Sequence, residues 1–223
     1  VLTWLAVALL TGAAVVAIGW GLRRTDELGR PRQFPWVTVA LLLAMGVGAA
    51  APGVLRASQE RRLGGAASAL AGARAAVRCQ SLGGAFVDGG PELGYVRWRA
   101  DGSPEPWALI KRDQCHHLAA YVRSGARRPT RDQVVAVHVL THEAMHMSGR
   151  LDEAVAECAA VQRDAQTARL LGARPADAAA LAATYWANIY PLMPDRYRSG
   201  ECRPGGAMDE GLADAPWLAS LPA

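Results

Sequence analysis

Lysine is almost missing from this chain: Lys111 is its single lysine, against 23 arginines. Aromatic residues are scarce at 6%, with two phenylalanines, so the 51% hydrophobic fraction is mostly Ala, Val and Leu. That fraction is too high for a disordered or collagen-like chain, and four cysteines in 223 residues are too few for a disulfide-only scaffold. Excess charge is also small. A formal +4, scattered along the sequence, does not make the basic footprint of a nucleic-acid binder. The Arg-for-Lys and Ala bias is what a GC-rich bacterial genome would produce.

Charge is absent altogether from two stretches at the front. Val1–Leu22 and Gln33–Leu55 carry none, and a polar loop, Arg23–Arg32, separates them. Each run, at more than 20 residues, would extend about 33 Å as a helix, against a bilayer core of about 30 Å. Trp4, Trp20 and Trp36 lie near the ends, where interfacial indoles belong. Pro35 and Pro52 also sit near the ends of the second run. A membrane hairpin over residues 1–55 is therefore expected, contacting lipid through both helices, with a second domain over 56–223. A cleaved leader is the competing reading, since Gly48-Ala49-Ala50-Ala51 looks like a small-residue cleavage site. Arg23, Arg24, Arg30 and Arg32 in the loop lean towards a cytoplasmic loop and an outside domain. The hairpin takes four basic and two acidic residues with it, leaving the second domain at +2.

All four cysteines follow the apolar runs. Even in number and widely spaced, Cys79, Cys115, Cys158 and Cys202 suggest two disulfides and an oxidising compartment. Three pairings are possible. Cys79–Cys115 with Cys158–Cys202 is preferred, because each pair brackets one half of the domain. Together these readings place the chain in a bacterial cell membrane, crossing twice, with an extracytoplasmic C-terminal domain.

The second domain reads as α+β. A helix over Ser58–Cys79 is followed by strands at Ala85–Val87, Leu93–Arg99 and Trp107–Lys111, forming a small antiparallel sheet. Asp88-Gly89-Gly90-Pro91 and Asp101-Gly102-Ser103-Pro104 supply the turns. Helices follow over Asp113–Arg123, capped by Asp113, and over Val134–Met147, with Thr130 as N-cap and Gly149 as its stop. A long helix over 152–171 and another over Pro175–Tyr190 precede an irregular tail.

Within the apolar helix stands His142-Glu143-Ala144-Met145-His146. Residues four apart share a helix face, so both imidazoles can reach one metal ion. Glu143 follows the first ligand directly, where it can take a proton from an attacking water. This is the HExxH pattern of zinc peptidases. An open catalytic site needs a third protein ligand. His142-x-x-x-His146-x-x-Gly149-x-x-Asp152 resembles the metzincin spacing of snapalysin-type enzymes, with Met193 in the place of the Met-turn. Glu153-Ala154-Val155-Ala156-Glu157 resembles the E-x-x-A-D/E helix of gluzincins, a pattern found in membrane-anchored gluzincin peptidases and, more loosely, in ImmA/IrrE-type proteins. The gluzincin reading fits a long helix better, and it covers residues 134–162.

That resemblance implies a zincin-like domain, with the HExxH helix packed on a Glu-bearing helix and Zn2+ held by His142, His146 and Glu153. Glu143 would be the general base, and Glu157 would support a histidine, with Asp152 left as a helix cap. Glu157 and Asp152 stay open as alternative ligands. It further implies that a sheet edge binds an extended peptide or protein substrate, with residues 107–111 as the candidate edge. His138, one turn before His142, is either a support or a partly buried histidine. Tyr185, Tyr190 and Tyr197 follow the site, and Tyr190 or Tyr197 could donate to a developing oxyanion. Cys115-His116-His117 reads as part of a disulfide, and Arg196 and Arg198 as a solvated surface. The function expected is membrane-anchored, zinc-dependent peptide hydrolysis without nucleic acid. The alternatives are a non-catalytic, zinc-stabilised interaction or sensor module of the cell envelope, and a metal-dependent hydrolase of envelope polymers.

Overall fold

The structure, a computed structural model, describes residues 2–87 and 90–217. The chain divides into two compact units, Val1–Ser58 and Gln59–Ala223.

In the first unit, helix α1 covers Leu2–Leu22, and helix α2, Trp36–Ala71, begins there. Both helices are long and apolar enough to cross a membrane. Their large apolar side chains, among them Trp4, Val15, Ile18, Leu22 and Val37, are exposed, the opposite of what core helices of a water-soluble protein show. Small residues let the two helices approach, and a Cβ on Gly46 would lie 2.8 Å from the Leu10 side chain. In the loop between them, Asp26 Oδ1 accepts from the Leu28 and Arg30 amides at 2.9 and 2.7 Å. Trp20 Nε1 donates to the Arg32 carbonyl.

The second unit corrects the expected strand order. The helix expected over Ser58–Cys79 ends at Ala71, because Gly72 takes the left-handed conformation (φ 68°) that terminates helices. Strand β1, Ala76–Cys79, follows, its residues alternately exposed and buried, the period-2 signature of a half-buried strand. The strand expected at Ala85–Val87 is instead the end of a short helix, α3 (Leu82–Val87). Of the turn expected at 88–91, Asp88 and Gly89 lie outside the described residues. Strands β2 (Gly94–Trp98) and β3 (Pro104–Ile110) stand close to the expected positions. Their connection turns at Gly102 (φ 77°), and Asp101 Oδ1 accepts from the Ser103 amide and hydroxyl.

The sheet is mixed and ordered β1-β3-β2, not purely antiparallel. Strand β3 pairs parallel with β1 (Ala76 opposite Trp107) and antiparallel with β2 (Gly94 opposite Ile110). Residues 107–110 are therefore central, which removes them as the expected edge. The strand edge beside the candidate site belongs to β2.

Helices complete the unit: α4 (Arg112–Arg123), α5 (Arg131–Met147), α6 (Glu153–Val161), α7 (Asp164–Leu170) and α8 (Pro175–Asn188). Helix α4 begins one residue earlier than expected, so Asp113 lies in its first turn; the N-cap is Lys111, without a side-chain cap. Helix α5 starts at a full capping box. Thr130 Oγ1 accepts from the Gln133 amide, and Gln133 Oε1 accepts from the Thr130 amide. It runs through the centre of the unit, packed against the sheet and against α4, α6, α7 and α8. Val137, Leu140 and Met145 are wholly buried there, each such side chain stabilising the fold by about 1.5–3 kcal/mol.

The helix expected over 152–171 is broken in two at Gln162 and Arg163. The buried Gln162 side chain binds the C-terminal segment instead. Its Nε2 donates to the Cys158 and Met208 carbonyls, and its Oε1 accepts from the Glu210 amide. Glu210 in turn pairs with Arg150 and Arg163. The expected Pro175–Tyr190 helix stops at Asn188, and one-turn 3-10 helices follow at Tyr190–Leu192 and Asp195–Tyr197.

The two disulfides are Cys79–Cys115, joining β1 to α4, and Cys158–Cys202, joining α6 to the C-terminal segment. Both pairings are the preferred ones. Cys115 is thereby accounted for, and the neighbouring His116 and His117 do not line the cleft described below.

Candidate metal centre

Three side chains converge from the facing ends of α5 and α6. His142 Nε2 and His146 Nε2 are 3.0 Å apart, and Glu153 Oε2 lies 3.2 and 3.3 Å from them. The helical spacing of four puts the two imidazoles on one face. Asp152 places the third group: its Oδ1 accepts from the Val155 amide at 2.9 Å, capping α6 so that Glu153 opens the helix towards α5. The Asp152 carboxylate is thus committed to the cap and does not join the trio.

The opposite ring nitrogens decide what kind of cluster this is. His146 Nδ1 donates to the Arg150 carbonyl at 2.7 Å, an oxygen that can only accept. His142 Nδ1 lies 3.0 Å from Glu157 Oε2, an ion-pair contact that is not aligned as a hydrogen bond. With Nδ1 carrying the proton in each neutral ring, both Nε2 atoms present lone pairs to each other and to a carboxylate oxygen. Three electron-rich atoms at this distance repel unless a cation sits among them. A tetrahedral ion with bonds of about 2.0–2.1 Å holds neighbouring donors about 3.3 Å apart. The observed 3.0–3.3 Å fits, and the trio could hold a metal ion.

Without an ion, protons on the rings would have to take the place of that cation. Burial pushes the His142 imidazolium down, but Glu153 and Glu157 outweigh it and raise its pKa to about 9. Were the rings protonated in place of an ion, His142 and His146 would donate to Glu153 and hold its carboxyl well below the ordinary range. As ring protons or as an ion, positive charge is what the three groups gather around.

Glu143 points from the same helix turn into the same cleft. It is buried, and its Oε2 has no hydrogen-bond partner among the described residues. A buried, unpartnered carboxylate oxygen is costly and calls for a ligand or water. Burial raises its pKa to about 7, against the opposing pull of His142 and His146. The cleft has a volume of about 460 Å³ and is lined by the trio, Glu143, residues 91–96 and Trp98 of the β2 region, and apolar Val135, Val139, Ile189 and Met193. Met193 thus lines the cleft wall. The Trp98 ring meets His146 edge-on at 6.2 Å.

Glu157 does not enter the trio. Its Oε2 lies 3.0 Å from His142 Nδ1 and 3.0 Å from His138 Nε2, and its Oε1 accepts from the Tyr185 hydroxyl at 2.7 Å. His138 Nδ1 donates to Asp164 Oδ2 at 2.9 Å, and Tyr185 stacks on the His138 ring at 3.6 Å. Burial opposes a charge on His138, but Asp164 and Glu157 raise its pKa to about 10. The two oxyanion candidates differ. The Tyr190 hydroxyl is engaged by the Ser199 backbone, whereas Tyr197 packs edge-on against His142 at 5.8 Å and lines the cleft. Arg198 pairs with the exposed Asp195, while Arg196 stacks on Tyr197 and borders the cleft.

Sequence reasoning missed Asp164 and Gly94. Asp164 stands seven residues after Glu157, a helical repeat that could have marked it. Gly94 lies against Glu143 and carries no sequence signal of that contact. No protein-family model, curated protein or solved structure matches this chain.

Proposed function

We propose that the chain is a membrane-anchored zinc peptidase of gluzincin type, with a zincin-like second unit that works on the extracytoplasmic side. The observation that carries this reading is the meeting of three lone-pair atoms, on His142, His146 and Glu153, beside the unpartnered Glu143 carboxylate in one cleft. Two histidines and a carboxylate suit zinc among the common divalent ions and leave a coordination position open. The two apolar helices and the two disulfides support the membrane and the oxidising compartment.

Zinc, when bound there, supplies a Lewis acid that polarises a carbonyl and acidifies water. Glu143 takes a proton from the attacking water as its oxygen bonds to the carbonyl carbon. It returns that proton to the departing amine as the C–N bond breaks, leaving a carboxylate and an amine. Burial lifts the Glu143 carboxyl above the ordinary carboxylate range, which favours the return of the proton. The Tyr197 hydroxyl donates to the carbonyl oxygen as negative charge develops on it. The edge of β2 binds the substrate backbone in extended form, and the apolar wall of Val135, Val139 and Ile189 receives a side chain.

The test is metal analysis of the full chain purified in detergent, followed by digestion of a peptide library. About one zinc per chain and metal-dependent cleavage are expected. Bound zinc with no hydrolysis of any peptide would replace this reading with that of a non-catalytic zinc module. Hydrolysis confined to amides of envelope polymers would move the substrate class.

A further inference from the structure

Behind the trio, buried polar groups continue as a chain that hydrolysis does not itself require. Beyond His142 come Glu157, His138 and Asp164, with side-chain exposures of 1%, 4% and 0%. All three are almost wholly shielded from solvent. Each ring nitrogen of His138 faces a carboxylate oxygen, at 2.9 and 3.0 Å, so both nitrogens act as donors. The ring is clamped on its face by Tyr185, whose hydroxyl also holds the other oxygen of Glu157. Glu157 therefore has one position, and in that position Oε2 lies 3.0 Å from His142 Nδ1.

We propose that His138, anchored by Asp164, is a positioning residue for the metal ligand His142, acting through Glu157. The proposal rests on the metal-site reading above and extends it two residues deeper. A carboxylate behind a ligand histidine fixes the ring and its tautomer. A carboxylate buried alone would be pulled towards neutrality, or would turn to find other partners. One hydrogen bond from His138 Nε2, its ring held in turn by Nδ1 on Asp164, keeps Glu157 aimed. The same atoms argue against an ordinary alternative. If His138 only filled core space, one ring nitrogen facing a backbone carbonyl would satisfy it, and a second buried carboxylate would be a pure cost.

The geometry also permits a rival, since His138, His142 and Glu157 place donor atoms close enough to hold an ion of their own. Metal stoichiometry separates the two. The experiment uses the full chain in detergent, with His138→Gln and Asp164→Asn beside the wild type. It measures zinc affinity by chelator competition, zinc per chain, and the visible spectrum of the Co2+-loaded protein. The expected result is one ion per chain in all three proteins. Zinc affinity should fall about 10–100-fold in His138→Gln and less in Asp164→Asn, with a shifted Co2+ spectrum in both. Unchanged affinity and spectrum in folded His138→Gln would overturn the proposal, even if thermal stability fell. Should His138→Gln fail to fold, the isosteric Asp164→Asn decides by the same readouts. Two ions per wild-type chain would also overturn it, assigning His138 as a ligand. A wild-type chain that binds no zinc would instead remove the metal-site reading beneath it.

Discussion

Gly94 and Glu143 are so close that a Cβ added to Gly94 would lie 2.9 Å from Glu143 Oε1 and 3.1 Å from its Cγ. The β2 backbone is thus one wall of the slot that holds the carboxylate. It cannot easily retreat, because Gly94 pairs with Ile110 and the Leu93 carbonyl accepts from the Lys111 amide. Gly94→Ala is expected to displace the carboxylate while leaving the trio intact. Hydrolysis should fall about 100-fold, the usual result of misplacing a reacting group by about 1 Å, with zinc content unchanged. Steady-state kinetics with metal analysis on the same sample checks this. A wild-type rate would mean that the carboxylate has room to spare.

Glu143→Gln keeps the shape and removes the base. Peptide hydrolysis is expected to drop by roughly 10²–10⁴-fold, with one zinc still bound. Proteolysis by this variant at the wild-type rate would refute Glu143 as the general base.

Glu153 and Asp152 are neighbours with separate tasks. Glu153→Ala removes a donor of the trio, so zinc affinity should fall by at least about 100-fold, beyond what the loss of a supporting group costs. Asp152→Ala removes the cap of α6, costing about 1 kcal/mol of stability while zinc remains bound. Chelator competition and thermal melts on both variants separate the tasks. Zinc lost from Asp152→Ala with a well-folded chain would reverse the assignment.

The Cys158–Cys202 bridge closes a segment of 44 residues, for which loop-closure entropy predicts about 4 kcal/mol of stabilisation. Cys202→Ser is expected to lower Tm by roughly 10 °C in a chain of this size. Differential scanning calorimetry of the two proteins makes the comparison.

The legible parts of this chain are those that local spacing encodes. His142 and His146 share a face because a helix repeats every 3.6 residues, and Thr130 and Asp152 cap because short polar side chains reach amides three residues on. The apolar runs announce themselves by having no charge. What failed was non-local. Nothing near residues 107–110 says that β1 will pair beside them and make β3 central. Strand β1 itself was hidden in an Ala- and Arg-rich stretch that looks helical until Gly72 is weighed as a stop. Asp164 meets His138 across 26 residues, a partnership made only when α7 packs on α5.

Gln162 gives the C-terminal segment a significance beyond its own contacts. That segment supplies two of the partners that a sealed amide needs, the Met208 carbonyl and the Glu210 amide. Peeling it away would uncover the buried Cys202, Ala215 and Trp217, and would take from Gln162 the partner of its Oε1 and one of the two carbonyls that its Nε2 meets, at about 1–3 kcal/mol for each group left unsatisfied. The break between α6 and α7 is thus a socket, and the segment around Glu210 is the plug that fills it.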